Sequence, residues 1–366
     1  MAMDLNMQTL YIGTYTRPEG HVDGRGEGVY VYQFDSTTGH LSHQSTCPGV
    51  VNPSFLTVEP QGQYLYAVNE LTREEEGSGT VSAFAIDPST GNLAFLNKQS
   101  SGGLAPAYVS MDQSGRFVFV ANYITGNVAV LPVQANGELL PASDMHQHRG
   151  TGLDPRQGNP HAHCVLSDPA GRFILSADLG IDQIMIYRFD HQWGKLLLHD
   201  PPFAALPPGG GPRHLIFHPN GQFLYVVTEY ASTIALFHYD GQQGQLHQRQ
   251  TVSTLPDDFT GFSTGADIRI TPDGRFLYAS NRGHDSLAIF AVHEESGQLT
   301  LVGYESTQGK TPRNFTLDPA GQFLLVANQD SDAVVVFHID QENGKLTPTG
   351  ESYSIPSPAC LQFAPT

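Results

Sequence analysis

Cysteine is scarce. Cys47, Cys164 and Cys360 are the only three in 366 residues, an odd and scattered set that argues against a disulfide framework and for a reducing compartment, so a cytoplasmic location is expected. Charge is low at 15 %, and basic residues are rarer still: 18 Lys and Arg face 36 Asp and Glu, a formal net charge of −18 with no Lys/Arg cluster. Such a surface repels nucleic acid and anionic membranes. No apolar run approaches about 18 residues, which excludes a helical membrane span. The start, MAMDLNMQTLYIG, has neither a basic region nor a long apolar core, so no secretory leader is expected. A Gly-x-Ser-x-Gly elbow is missing, which argues against a serine hydrolase. Gly24-x-Gly26-x-Gly28 lacks the strand–turn–helix context of a dinucleotide loop.

Turn formers and aromatics are plentiful: 38 Gly, 25 Pro and 10 % Phe, Trp and Tyr, a β-rich composition. One phrase recurs. It reads NPSFLTVEPQGQYLYAVNE from Asn52, APAYVSMDQSGRFVFVANY from Ala105, NPHAHCVLSDPAGRFILSADLG from Asn159 and GPRHLIFHPNGQFLYVVTE from Gly211. It returns as GADIRITPDGRFLYASNR from Gly265 and TPRNFTLDPAGQFLLVANQ from Thr311. The turn glycines Gly62, Gly115, Gly171, Gly221, Gly274 and Gly321 repeat at about fifty residues, the period of a β-propeller blade.

Within a unit, "RHLIFH" is a first strand, an x-Pro-x-Gly turn follows, and "FLYVVTE" is a second strand rich in β-branched and aromatic residues. "TIALFHYD" is a third strand, and a "tGxL" turn leads to a polar fourth. The segment Pro356 to Pro365 is a first strand without partners, and TLYIGTYT with GVYVYQFD near the N-terminus are second and third strands without a first. Joining them predicts an all-β, seven-bladed propeller of four-stranded blades, closed by Ala359–Phe363 against Leu10–Thr16. A solenoid or two β-sandwiches are the alternatives. No composition break appears, so residues 1–366 are read as one domain, with insertions at Arg17 to Gly28, Gly150 to Pro160 and Phe203 to Gly211 on one face.

In an antiparallel hairpin, residues equidistant from the turn are neighbours across the strands. Arg213 lies 7 residues before Asn220 and Glu229 lies 9 after it, so the two meet at one end. The same reasoning sets His163 against the Asp178 region, Arg313 against Asn328, and Asn281 and Arg282 against Asp267 and Arg269. Asn69 with Glu70, and Asn122 with Tyr123, hold the matching end of blades that lack an arginine. First strands line a propeller's channel, so His161, His163, Arg213, Glu229, Arg282 and Arg313 are expected at one funnel. Asn69, Asn122, Asn281 and Asn328 are candidates to bind substrate there. Converging arginines call for an anion. Isolated strand-end polarity, or a cross-strand salt bridge that merely holds the hairpin, is the competing explanation.

These phrases, above all YIGTYT, "PRH…F.P.G…E" and SNRGHDS, resemble the β-propeller lactonase family, and the likeness covers nearly the whole chain. Its members include bacterial propeller-type 6-phosphogluconolactonase and fungal carboxy-cis,cis-muconate cyclase. The resemblance implies a carboxylic-ester hydrolase acting on a small sugar lactone that carries a phosphate, in the pentose phosphate pathway. It also implies a site of a histidine (His161 or His163), Arg213, Glu229 and Arg282. "GADIRI" departs from it by carrying Asp267 where relatives often have glutamate.

Lactone hydrolysis needs a base for water, stabilisation of the carbonyl oxygen and a leaving ring oxygen. Glu229 or His163 is a candidate base. Arg213 could keep Glu229 ionised and face the oxyanion, and Arg282 and Arg313 could hold a carboxylate or phosphate. His161 and His163 share a strand face at i and i+2, yet further ligands at zinc spacing are missing, so no metal and no cofactor are expected. A lactonase working as a monomer or weak homodimer is the leading reading. A lactonase or cyclase for another lactone, or a non-catalytic protein-binding propeller, is the alternative.

Overall fold

The computed structural model describes residues 6–72 and 77–365; residues 1–5, 73–76 and 366 of the expected single-domain span lie outside it. Seven four-stranded antiparallel sheets form the molecule, and the outer strand of each is the most exposed. Among the described residues the only helical element is a 3-10 turn at Gln329–Ser331.

The ring closes as the split fragments predict. The segment Pro358–Phe363 pairs with Met7–Thr14, with Leu10 opposite Phe363, Ile12 opposite Leu361 and Thr14 opposite Pro358. Neighbouring blades are latched by tyrosines of their second strands. The hydroxyl of Tyr11 donates to the carbonyl of Gly91, Tyr66 to Gly137, Tyr225 to Gly297 and Tyr278 to Gly344. Each of these acceptors sits in the "tGxL" turn of the next blade with φ between +65° and +85°, where only glycine is unstrained. The turn motif therefore serves packing between blades as well as the turn itself.

One irregularity matters most for function. In blades two to four and blade six, the inner strand carries a β-bulge at its start, between Pro106 and Tyr108, Ala162 and Cys164, Pro212 and His214, and Pro312 and Asn314. Blade five has a wider break between Gly265 and Ile268. A bulge leaves one residue unpaired and re-aims its side chain. The bulged residues of these four blades are Ala107, His163, Arg213 and Arg313, and the closing blade has a matching bulge at Ala359. The fifth blade corrects an expectation: Asn281 and Arg282 lie opposite Gly265 and Thr264, not Asp267 and Arg269. Phe203, expected in a loop, belongs to the outer strand Lys195–Ala205.

Candidate active site

The four bulged residues meet in a cavity of about 230 Å³ at the channel mouth, joined by Glu229, Arg282, Tyr123, Glu70, Thr72 and His21. A larger cavity, about 630 Å³, lies between the closing blade and the first blade. Among the described residues its lining contains no carboxylate and no imidazole, whereas the funnel holds both.

Glu229 is the hub. Its Oε2 accepts from Arg213 Nε at 2.9 Å and from Arg282 Nη2 at 2.9 Å. Both guanidinium groups are also tied to the backbone of the fifth blade: Arg213 Nη1 donates to Ala266 O at 2.5 Å, and Arg282 Nη2 donates to Gly265 O at 3.1 Å. The side chain of Arg213 is only 2 % exposed. Burial pushes the Glu229 carboxyl up, but Arg282, then Arg213 and Arg313 outweigh it, and the net shift is down. Glu229 is therefore an anion at neutral pH.

Below the hub lies a second buried layer. His214 Nδ1 bonds Asp267 Oδ1 at 2.7 Å, Asn314 Nδ2 donates to Asp267 Oδ2 at 2.6 Å, and Arg269 pairs with Asp267 at 3.1 Å. Facing an ionised Asp267, Nδ1 of His214 carries the proton, so its Nε2 accepts from Arg213 Nη1 at 3.3 Å. Burial, then Arg213, pull the His214 pKa down to about 4. His214 is packed in the interior and braces Arg213 from behind. Asp267, the residue that departs from the lactonase pattern, anchors this layer.

His163 is buried, and its Nδ1 has no hydrogen-bond partner among the described residues. Burial, then Arg213 and His214, hold its pKa well below the ordinary imidazole value. Arg313 differs from Arg213 and Arg282. Its guanidinium lies 5.2 Å from the Tyr15 ring centroid and, among the described residues, makes no hydrogen bond to a carboxylate.

The remaining sequence candidates do not line the cavity. His161 precedes the bulge; its Nδ1 bonds the Tyr123 carbonyl at 2.9 Å, and its ring stacks on Tyr123 at 4.6 Å. Tyr123 meets the His163 ring edge-on at 5.8 Å, so the shared face needed for a two-imidazole chelate is lost to the bulge. The four asparagines turn away from the funnel to clamp backbone carbonyls: Asn69 that of Val51, Asn122 of Ser101, Asn281 of Thr254 and Asn328 of Thr307. Each ties the end of a second strand to a connecting segment between blades. Asn122→Ala is expected to lower stability by about 1–3 kcal/mol, because it strands a buried carbonyl, and to leave KM unchanged. Thermal melts beside steady-state kinetics check this; a raised KM with normal melting would return Asn122 to the binding site.

His21, Glu70 and Tyr15 were not singled out as site residues from the sequence. Glu70 ends its second strand as Glu229 ends its own, which was the available signal. His21 sits on an insertion, where no repeat constrains it.

A family model described as "Lactonase, 7-bladed beta-propeller" matches residues 9–363. A 6-phosphogluconolactonase of Bacillus subtilis is 37 % identical over 305 residues, covering 83 % of each chain. A 6-phosphogluconolactonase of Formosa agariphila is 33 % identical and covers 84 % of this chain and 86 % of its own. The solved structure of a periplasmic gluconolactonase from Pseudomonas aeruginosa superposes with a TM-score of 0.91 at 37 % identity, over 98 % of this chain and 99 % of that one.

Proposed function

The chain belongs to the seven-bladed β-propeller lactonase family and is a lactone hydrolase, and from that premise we propose that it opens 6-phospho-D-glucono-1,5-lactone with water to give 6-phosphogluconate. The observation that carries this reading is the pair of guanidinium groups fixed on one carboxylate inside a small polar cavity, beside a third arginine that pairs with no carboxylate among the described residues.

The roles follow from charge. Arg213 and Arg282 are immobilised by Glu229 and by backbone carbonyls, so their remaining N–H groups are preorganised for the negative charge that develops on the carbonyl oxygen. Glu229 offsets the mutual repulsion of the two cations. His163, a neutral imidazole beside them, hydrogen-bonds the bound lactone. Arg313 receives the phosphate, since a planar fork of free donors suits that anion. The three cysteines are unpaired, in keeping with a reducing cytoplasm, and among the described residues no helix is long and apolar enough to cross a membrane.

Lactones hydrolyse spontaneously, so rates are read against a buffer blank. The purified chain should accelerate opening of 6-phosphogluconolactone well above it. Arg313→Ala should raise KM for this substrate roughly ten- to a hundredfold and change KM for unphosphorylated gluconolactone far less. Equal effects on both lactones would remove the phosphate from this arginine. A wild-type preference for gluconolactone would favour the unphosphorylated substrate named in the Pseudomonas neighbour's description.

A further inference from the structure

Whichever group deprotonates the attacking water acquires a charge change, and the two groups beside the arginines are poor places for it. Glu229 already shares its Oε2 with two guanidinium groups, which lowers its affinity for a proton. An imidazolium at His163 would face Arg213, His214, Arg313 and Arg282 without a carboxylate partner.

A second cluster lines the same cavity. The insertion between Thr14 and Gly28 folds into a short hairpin, Pro18–Glu19 against Val22–Asp23, with His21 in its turn. Its glycines are functional in shape rather than in phosphate binding: a Cβ on Gly24 would come within 2.3 Å of the Arg17 carbonyl, and one on Gly26 within 2.1 Å of Thr14 Oγ1. The hairpin is tied down on two sides. Glu19 accepts from Asn52 Nδ2 at 2.8 Å, from Arg17 Nε at 3.2 Å and from the Thr72 hydroxyl. On the far side, the Arg25 amide donates to Ser357 Oγ at 3.2 Å, and its guanidinium pairs with Asp332 at 2.7 Å.

This anchoring holds His21 against two other residues. Its ring packs edge-on to Tyr15 at 5.3 Å, and its Nε2 lies 3.2 Å from the Tyr15 hydroxyl and 3.8 Å from Glu70 Oε1. The Tyr15 hydroxyl donates to Glu70 Oε2 at 2.8 Å, and Ser54 donates to the same oxygen. Because the tyrosine proton is committed to Glu70, the tyrosine oxygen accepts from His21 Nε2–H. That leaves the lone pair on Nδ1, and the side chain is 42 % exposed.

Building on the lactonase reading, we infer that His21 is the general base of the reaction, with Tyr15 and Glu70 as positioning residues that set its tautomer and stabilise the imidazolium. As the water oxygen bonds to the lactone carbonyl carbon, the carbonyl π pair moves onto its oxygen, facing Arg213 and Arg282, and one water proton passes to His21 Nδ1. The carbonyl then re-forms as the carbon–ring-oxygen bond breaks, the pair of that bond stays on the ring oxygen, and the His21 proton is delivered there. The acid product ionises to solvent, and His21 is neutral again.

The groups facing His21 are Tyr15, Glu70, Glu19, Arg313 and Arg282. Burial, then Arg313, lower its pKa, and Glu70 and Glu19 pull it back up in part, so it is neutral at pH 7. The rate therefore falls with decreasing pH through a limb below the ordinary imidazole range.

The test uses the full chain with 6-phosphogluconolactone and δ-gluconolactone. His21→Gly should melt normally, lose about a hundredfold in kcat with KM unchanged, lose the acid limb and regain rate with added imidazole. Glu70→Gln removes the offsetting charge, so its limb should move to lower pH as kcat drops; Tyr15→Phe should lower kcat without moving KM. A His21→Gly variant that keeps rate and limb, or that is slow but not rescued by imidazole, overturns the assignment. A wild-type chain no faster than the blank on either lactone overturns the lactonase reading instead.

Discussion

Replacing Glu229 with glutamine is expected to cut lactone hydrolysis at least about a hundredfold, the scale of losing a preorganised oxyanion site. The substitution keeps shape and removes one charge. Arg213, with a side chain 2 % exposed, and Arg282, with one 16 % exposed, then face each other across a neutral amide. Their repulsion turns them out of line with the carbonyl oxygen, and the buried Arg213 loses its counter-ion. The same loss should leave the protein somewhat less stable, and that loss should be reversible. Phosphate or sulfate occupying the gap would raise the melting temperature of Glu229→Gln more than that of wild type. Arg213→Lys tests the same point from the other side, since an ammonium keeps the charge but cannot reach Glu229 and the Ala266 carbonyl with one planar fork. A folded Glu229→Gln protein that hydrolyses 6-phosphogluconolactone at near the wild-type rate would move the reaction centre away from this carboxylate.

Ending the chain at Ser357 should abolish cooperative unfolding. The removed strand buries Cys360, Leu361 and Phe363, and full burial of such side chains contributes about 1.5–3 kcal/mol each. It also forms a ladder with Leu10 to Thr14, and its Leu361 amide donates to Asn314 Oδ1 at 2.7 Å. Without it the edge of Met7–Thr14 is open and the ring has a gap between its sixth blade and the remainder of the closing one. Since whole-domain stability is typically about 5–15 kcal/mol, losing these contacts together removes most of it. Near-ultraviolet circular dichroism and thermal melts read the outcome, and a peptide of residues 358–366 added in trans should restore part of the signal. A truncated chain that melts like wild type would mean that closure is dispensable.

The architecture was legible because a blade is specified locally. Short runs rich in β-branched and aromatic residues, the proline–glycine turn and the "tGxL" turn act over a few residues each, and their repetition at about fifty residues announces the ring. The two incomplete ends were readable for the same reason, since each showed which strands it lacked. Arg213 and Glu229 were paired correctly because both flank one short hairpin, and their side chains meet at its end although the bulge leaves Arg213 without a register partner. Counting failed where the backbone stops being regular. The bulge at the start of the inner strands puts His163 in the funnel and leaves His161 stacked on Tyr123 outside it, although the two are two residues apart. In the fifth blade it moves Asp267 and Arg269 below Arg282 instead of beside it. The asparagines share the strand ends with Glu70 and Glu229, yet their amides are taken by carbonyls of the connecting segments, which only the packing of blade on blade brings close. His21 depended most on tertiary structure. Its partners lie 6 and 49 residues away, and it reaches them only because the ring closes and the Gly24 to Gly28 segment folds back on Arg17 and Thr14. Local stereochemistry determined the strands and the ring; the convergence of side chains from separate blades, and the bulges that aim them, decided the site.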